Sequence, residues 1–268
     1  MVDQTGVEII SIGNELLNGR TVNTNLTLIC KKLTISGVNV LRAYTVRDEL
    51  KEIVDVLRFV LEQKTSSWII TSGGLGPTHD DITLQGVALA LGRKISLNEK
   101  ALEMIRGRNA ELILTDARRK MAFLPEGATP LKNPVGMAPA VYLRESETNI
   151  ICLPGVPQEL EAIAEESVLP MIKRDAGDFF FVEGILWVQG LLEADLAPII
   201  LEVFRERPEV YIKSHPKGEE FGIELSLTVT TRHPDSSREL VSKSLDEIST
   251  RVLQASGSIS SRRIVNHK

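Results

Sequence analysis

Apolar and polar positions follow two alternating patterns along most of the chain. Short apolar runs predict buried strands, and segments with apolar residues three and four positions apart predict helices. Strands are predicted at 7–12, 38–46, 68–70, 138–143 and 149–153, and helices at 23–36, 49–63, 82–91, 98–112, 115–122 and 158–173. Strands that alternate with helices indicate parallel βαβ units, so we expect an α/β domain with a mostly parallel sheet over residues 1–174.

The pattern changes near Asp175. From there the order is strand, helix, strand, strand, helix, which predicts a small α+β domain over residues 175–256. Residues 257–268 are mostly polar and are predicted to be a poorly ordered tail.

Four loops of the first domain follow predicted strands, at 13–19, 45–48, 73–81 and 154–157. In an open parallel sheet, ligands bind beyond the carboxyl ends of the strands. We therefore expect these loops to meet around one site. Their polar candidates are Glu15, Asn18, Asp48, Thr78, Asp80 and Asp81.

The loop at 73–81 combines glycines with two carboxylates. Gly73, Gly74 and Gly76 allow backbone N–H groups to approach an anion, and a helix N-terminus follows them. Asp80 and Asp81 suit such a site when a divalent cation lies between them and a phosphate. The alternatives are a tight turn for the glycines, helix N-caps for Asp80 and Asp81, and likewise an N-cap for Asp48. For Glu15 the alternative is a solvated loop residue.

Composition excludes several classes of protein. The 268 residues carry a net charge of −5, which gives no general reason to expect a nucleic-acid partner. No apolar run reaches ~18 residues, so no membrane-spanning helix is predicted. The start of the chain is polar and unlike a signal peptide, and the two cysteines are predicted to be buried free thiols, so we expect a cytoplasmic protein.

Six motifs together resemble the CinA (competence/damage-inducible protein) family. They are 12–19 (IGNELLNG), 22–25 (VNTN), 71–83 (TSGGLGPTHDDIT), 124–128 (LPEGA), 133–136 (NPVG) and 153–157 (LPGVP). The resemblance implies a three-layer α/β/α domain of the MoaB/Mog-like molybdopterin-binding fold, followed by a KH-like domain. Residues 175–268 carry 11 Lys and Arg against 15 Asp and Glu and have no GXXG sequence, so we expect the second domain to serve in dimerisation or in covering the site, not in RNA binding.

The resemblance also implies a function: metal-dependent hydrolysis of ADP-ribose to AMP and ribose 5-phosphate. It places Asp48 and Asp81 at the family's acidic positions, as ligands of Mg²⁺ or Co²⁺, with K⁺ as a further candidate ion. Asn14 stands where the family commonly has Asp. The C-terminal amidase domain of longer family members is not expected here, nor is nicotinamide mononucleotide deamidase activity.

The leading hypothesis is therefore a pyrophosphatase acting on ADP-ribose or a related nucleoside diphosphate compound, as a homodimer with a small-molecule nucleotide substrate. The alternatives are a molybdopterin-binding protein of molybdenum-cofactor biosynthesis, an FAD pyrophosphatase, and a non-catalytic scaffold. The predicted catalytic residues are Asp48, Asp80, Asp81 and Glu15. The predicted phosphate- and substrate-binding residues are Gly73, Gly74, Leu75, Gly76, Thr78, Asn18, Pro154 and Gly155.

Overall fold

The computed structural model describes residues 6–107, 113–177, 179–218 and 222–267. The chain forms two compact units. The first ends at Gly177, close to the predicted boundary after residue 174, and the second contains the rest of the chain together with Ile35–Gly37.

The first unit is built on a six-stranded mixed sheet. Its strands lie in the order β2-β1-β3-β8-β7-β6. The first four of these are parallel neighbours, and β7 and β6 complete the sheet as antiparallel strands. The predicted α/β fold with a mostly parallel sheet is confirmed. The strands are β1 (Gly6–Ile12), β2 (Asn39–Val46), β3 (Trp68–Ser72), β6 (Thr129–Leu131), β7 (Ala140–Glu145) and β8 (Thr148–Leu153).

Helices cover both faces of this sheet. Alternate residues of β1 point to opposite faces, so that Ile10 and Ile12 enter one apolar core and Val7 and Ile9 the other. The first core is closed by α3, α4 and α5, and the second by α2, α7 and α8. The helices are α1 (Asn14–Leu17), α2 (Thr24–Ile35), α3 (Leu50–Gln63), α4 (Thr83–Ala90), α5 (Glu99–Arg106), α6 (Asp116–Lys120), α7 (Pro157–Ile163) and α8 (Leu169–Ala176), with one π-helical turn, Ala164–Val168, between the last two.

Some local expectations differ from the structure. The helix predicted at 98–112 is α5, which ends at Arg106, and residues 108–112 lie outside the described part of the chain. Two further short strands, β4 (Ile95–Leu97) and β5 (Phe123–Pro125), pair with each other. Like β6 they contain only three residues, which is too few to produce a recognisable alternation of apolar and polar positions.

The second unit is a four-stranded antiparallel sheet in the order β10-β11-β9-β12. Its elements follow the chain order βαββαβ, and that order with this strand arrangement is typical of the ferredoxin-like fold. The KH-like assignment is therefore not confirmed. The elements are β9 (Phe180–Gln189), α9 (Glu193–Glu206), β10 (Tyr211–Pro216), β11 (Ile223–Thr231), α10 (Pro234–Gln254) and β12 (Ser258–His267).

The predicted polar tail at 257–268 is wrong for most of its length. Residues 258–267 form β12, which pairs with β9 along both strands. The segment is polar because an edge strand exposes one face to solvent, while Ile259 and Ile264 on the other pack against the core of the unit. Among the described residues, no helix combines the length and apolar character needed to cross a bilayer.

Candidate functional site

The candidate site lies where the topology of the sheet changes direction. The chain leaves β1 toward α2 on one face of the sheet and leaves the neighbouring β3 toward α4 on the other face, so a crevice opens between the carboxyl ends of these two strands. A cavity of about 260 Å³ lies there. All four predicted loops contribute to it. Of the predicted site residues, it is lined by Glu15, Asp48, Gly73, Gly74, Thr78, Asp80, Asp81 and Gly155.

The glycines of the loop after β3 are required by close backbone approach. Gly73 has a φ of 110°, and a Cβ atom there would lie 2.2 Å from the carbonyl oxygen of Ile12. Gly74 has a φ of 67°, and a Cβ atom there would lie 2.3 Å from Oγ1 of Thr83. Both positions therefore exclude a side chain, because the conformation and the space each favour glycine.

The same loop presents backbone N–H groups. The N–H of Gly73 is committed to the carbonyl of Leu153 at 3.0 Å. In the described part of the chain, the N–H groups of Gly74, Leu75 and Gly76 have no protein acceptor. The side chain of Leu75 is only 5% exposed and packs in the core, which anchors the loop. These three N–H groups, which we call the glycine cradle, are suited to an anion.

The acidic pair is organised by Thr78. Its N–H donates to Oδ2 of Asp81 at 2.7 Å, and its hydroxyl lies 2.6 Å from the same oxygen. That hydroxyl also contacts Oδ1 of Asp80, so its single proton serves one carboxylate at a time. The hydrogen bond from Thr78 is the main cause that lowers the pKa of Asp80, followed by the backbone N–H of Asp80 itself.

The helix-cap alternatives for the three aspartates are wrong. The helix α4 begins at Thr83, and its N-cap residue Ile82 makes no side-chain capping bond. The N-cap residue of α3 is Glu49, whose side chain also makes none. Asp48 instead accepts the N–H of Asn14 at 2.8 Å, which joins the loop after β2 to the loop after β1. The aspartates therefore shape the loops around the cavity.

Glu15, in the loop after β1, is less well placed to contact a ligand than the three aspartates. Its carboxylate folds back over Gly13, where a Cβ atom would lie 2.4 Å from Oε1 of Glu15. The side chain is exposed at the rim of the cavity. Glu15 can meet a ligand there without any reorganisation of the core.

The donors suit a cation that completes its shell with other ligands. No group of three or more His, Cys, Asp or Glu side chains is close enough to hold a metal ion among the residues that the structure describes. Oδ2 of Asp48 and Oδ2 of Asp81 each accept a hydrogen bond from a backbone N–H group of the protein. Mg²⁺ is commonly held by one or two carboxylates with waters and ligand phosphates, so these residues fit that mode of binding.

Two asparagines complete the cavity, and neither was predicted as a site residue. Nδ2 of Asn25 donates to the carbonyl of Gly155 at 2.7 Å and contacts Oγ of Ser72 at 3.3 Å, while its Oδ1 is buried without a partner. Asn23 caps α2 by accepting the N–H of Leu26 at 3.0 Å. Both lie in the 22–25 motif, and this motif is the feature of the sequence that could have identified them as site residues.

Four predicted residues do not line the cavity. The side chain of Leu75 lies in the core, and Pro154 is buried beneath the last loop. Asn18 is exposed and accepts the N–H of Arg20. Gly76 lies against the carboxylate of Asp81, since a Cβ atom there would be 2.6 Å from Oδ2. Leu75 and Gly76 instead line a narrow crevice that adjoins the cavity.

Comparisons with known proteins agree with this description. Residues 8–174 match the family described as "probable molybdopterin binding domain". A protein from Metallosphaera sedula is 40% identical over 94% of this chain and 96% of its own length, and one from Pyrobaculum arsenaticum is 47% identical over 81% and 82%. The solved structure of a CinA protein of unknown function from Thermoplasma acidophilum is 40% identical and covers 65% of this chain and 99% of its own, with a TM-score of 0.59. The chain belongs to the probable molybdopterin binding domain family.

Proposed function

We propose that the cavity binds molybdopterin or a closely related phosphate-bearing pterin. The observation that carries this proposal is the glycine cradle, whose N–H groups have no acceptor among the described residues. Gly74 lines the cavity, and Leu75 and Gly76 line the narrow crevice that adjoins it. A phosphate accepts such N–H groups well because the bonds are charge-assisted. The family match over residues 8–174 supports the pterin as the group attached to that phosphate.

The walls of the cavity supply the remaining recognition. Ser72, Asn23 and Asn25 line it with hydroxyl and amide groups, and Ile12, Leu16 and Val22 add apolar surface. A pterin ring carries both donors and acceptors at its edge and an apolar face, so amides beside aliphatic side chains can bind it. Oδ1 of Asn25 is buried without a partner and offers an acceptor if the amide rotates.

Thermal stabilisation tests this proposal directly. A ligand present at 100 times its dissociation constant adds about 2.7 kcal/mol to the free energy of unfolding. We expect molybdopterin to raise the melting temperature of the wild type and to lose this effect in Asn25→Asp, which introduces a negative charge. The exposed Thr27→Ala, two residues further along α2, is the control. Equal stabilisation of wild type and Asn25→Asp would contradict the proposal.

A second candidate function is hydrolysis of the phosphoanhydride of ADP-ribose or a related compound such as FAD. Carboxylates from two loops favour it, since Asp48 and the pair Asp80 and Asp81 all line the cavity beside the cradle. Asp48 and Asp81 would hold a divalent cation, Mg²⁺ or Co²⁺. A bound cation would neutralise diphosphate charge and lower the pKa of water.

The protein groups have separate roles in this candidate reaction. The cradle would hold a phosphate through the N–H groups of Gly74, Leu75 and Gly76. Asp80 would position the loop or assist as a base toward an attacking water; the hydrogen bond from Thr78 lowers its pKa, which keeps it ionised but makes it a weaker base. Glu15, at the rim, would contact the part of the substrate that extends from the cavity.

Release of AMP from ADP-ribose with added Mg²⁺ or Co²⁺ is the assay. Asp81→Ala should abolish most of the release. Asp55→Ala removes an aspartate of α3 that pairs with Lys51, outside the cavity, and should leave the release unchanged. Absence of turnover of ADP-ribose and FAD with any divalent ion would reject this second candidate. If neither ligand class stabilises the protein either, a non-catalytic scaffold is the remaining function.

A further inference from the structure

Residues 74–82, which we call the acidic loop, make few hydrogen bonds to the rest of the molecule. Most of the bonds run within the loop or into α4. The N–H and the hydroxyl of Thr78 bond to the side chain of Asp81, and the N–H of Asp81 returns to the carbonyl of Thr78 at 3.3 Å. In the described ranges, the one hydrogen bond between this loop and a more distant part of the chain is donated by Lys120 to the carbonyl of Thr78.

The backbone of Lys120 is a firm anchor for that bond. Lys120 is the last residue of α6, and the next two residues, Met121 and Ala122, are buried in the first apolar core. The carbonyl of Ala122 also accepts the N–H of Asn98 at 2.8 Å, which joins this segment to the start of α5. The side chain of Lys120 therefore extends from a fixed backbone to the acidic loop.

Thr78 transmits this bond to the acidic pair. Its carbonyl accepts the ammonium group of Lys120, while its N–H donates to Oδ2 of Asp81 and its hydroxyl contacts both carboxylates of the pair. Asp48 is held separately, by the N–H of Asn14. A displacement of Thr78 would therefore move the acidic pair relative to Asp48. Such a displacement matters for Mg²⁺, which requires nearly ideal octahedral geometry.

The charge of Lys120 acts in the opposite sense to its hydrogen bond. Lys120 and Asp81 line the same narrow crevice, so the ammonium group repels a cation bound by the Asp81 carboxylate. No carboxylate lies within ion-pair distance of this ammonium group among the residues that the structure describes. If Lys120 acted only through its charge, its removal would strengthen cation binding. If it acts by holding the loop, its removal weakens cation binding.

We propose that Lys120 is a positioning residue for a divalent cation, because its bond to Thr78 holds the acidic pair where Asp81 and Asp48 can bind one ion. Lys120 itself contacts neither the cation nor the substrate. The inference rests on the proposed function only in requiring the cation of the second candidate reaction.

Titration with Mn²⁺ alone, followed by electron paramagnetic resonance, tests this role without any turnover. Mn²⁺ takes the same oxygen ligands as Mg²⁺. Lys120→Met removes the ammonium group and should weaken Mn²⁺ binding about fivefold, the scale of one hydrogen bond. Unchanged or tighter binding in Lys120→Met would overturn the proposal, because it would leave no positioning role for the bond to Thr78.

Two further variants control for the charge and for the donor. Arg119→Met removes the same charge from the preceding residue of α6, whose exposed side chain makes no hydrogen bond in the described part of the chain. It should bind Mn²⁺ like the wild type, and a loss equal to that of Lys120→Met would contradict the proposal. Lys120→Arg keeps a charged donor and should restore most of the affinity. Binding no tighter than in Lys120→Met would also contradict it.

Hydrogen exchange followed by NMR separates this inference from the proposed function. In Lys120→Met, with no ion added, the N–H groups of Thr78 and Asp81 should exchange faster than in the wild type and in Arg119→Met, because the loop has lost the bond from Lys120. If they do so while the wild type binds no Mn²⁺, the hydrolytic function fails and the positioning of the acidic loop stands. Unchanged exchange of both N–H groups would overturn the inference.

Discussion

Asp48 accepts a hydrogen bond from the backbone N–H of Asn14, 34 residues earlier in the chain. The two residues follow β2 and β1, which are parallel neighbours, so this one bond fixes the spacing of two loops at the carboxyl end of the sheet. It also orients the Asp48 carboxylate at the cavity. Asp48 therefore combines a structural bond with a charge, and the two can be separated by mutation.

Asp48→Asn and Asp48→Ala should separate the bond from the charge. Asparagine keeps an oxygen acceptor for the N–H of Asn14, so its free energy of unfolding should change by only about 0.5 kcal/mol. Alanine removes the acceptor and should cost about 1 kcal/mol. Both should raise the concentration of Mg²⁺ or Co²⁺ needed for AMP release, because both remove the charge. An unaltered cation requirement in Asp48→Asn would show that Asp48 only ties the loops together.

Thr78→Val should raise the pKa of Asp80, because it removes the hydroxyl that is the main cause of the lowered value. A carboxylate with a lowered folded-state pKa stabilises the protein above its unfolded-state pKa, and this contribution is lost as pH falls through the folded value. The valine variant should therefore lose part of the dependence of stability on acid pH. Thr78→Ser, which keeps the hydroxyl, is the control. Carboxyl carbon chemical shifts followed by NMR as a function of pH measure the pKa, and identical titrations in valine and serine variants would contradict this cause.

The location of the site could be predicted from the sequence, because it depends on topology. Parallel strands end at one edge of a sheet, so the loops after β1, β2, β3 and β8 had to meet there. The contacts within the site could not be predicted in the same way. Lys120 reaches Thr78 across 42 residues, and Asn25 reaches Gly155 across 130. Such contacts depend on the packing of α2 and α6, which no local pattern records.

Asn25 should hold the last loop of the site in place. Its amide donates to the carbonyl of Gly155, so Asn25→Ala leaves that carbonyl without this donor and should cost about 1–2 kcal/mol in the free energy of unfolding. Ligand binding should fall as well, because Gly155 lines the cavity. Chemical denaturation measures the first effect and calorimetric titration the second. Asn25→Gln, which keeps an amide, is the comparison, and unchanged binding in Asn25→Ala would show that the loop does not need this bond.

Leu75 and the strand β12 show two limits of predicting structure from sequence patterns. Leu75 is one apolar residue between glycines, so nothing in its neighbourhood shows that it enters the core. The strand β12 has an exposed face and reads as a polar tail, because its pairing with β9 is distant in the chain and unrelated to its own composition.

Gly184 should be sensitive to substitution, because β9 packs closely against α10 at this position. A Cβ atom at this position would lie 2.6 Å from Cγ1 of Val241 and 2.9 Å from Cδ1 of Leu245. Gly184→Ala should therefore destabilise the second unit by about 1–3 kcal/mol through overpacking. Fluorescence of Trp187 during denaturation reports on this unit when the other tryptophan, Trp68 of the first unit, is replaced by phenylalanine in every variant. Gly218→Ala is a control for steric clash, because nothing lies within 4 Å of a Cβ atom at that position. It is not a control for backbone strain, because Gly218 has a φ of 98°. A wild-type midpoint in Gly184→Ala would contradict the packing of α10 on β9.

Gly76→Ala should displace the Asp81 carboxylate while leaving the fold intact. A Cβ atom at Gly76 would lie 2.6 Å from Oδ2 of Asp81, whereas one at Gly73 would lie 2.2 Å from the backbone carbonyl of Ile12. The side chain of Asp81 can move aside, whereas the backbone of β1, which carries the Ile12 carbonyl, cannot. Gly76→Ala should therefore resemble Asp81→Ala in its raised requirement for divalent cations, with a melting temperature near that of the wild type. Gly73→Ala should instead lower the melting temperature, because its φ of 110° also disfavours alanine. Cation titrations of AMP release, with melting curves for all three variants, make the comparison. If Asp81→Ala raises the cation requirement and Gly76→Ala does not, the prediction is contradicted. The Asp81 carboxylate would then act on a cation from a position other than the one against Gly76.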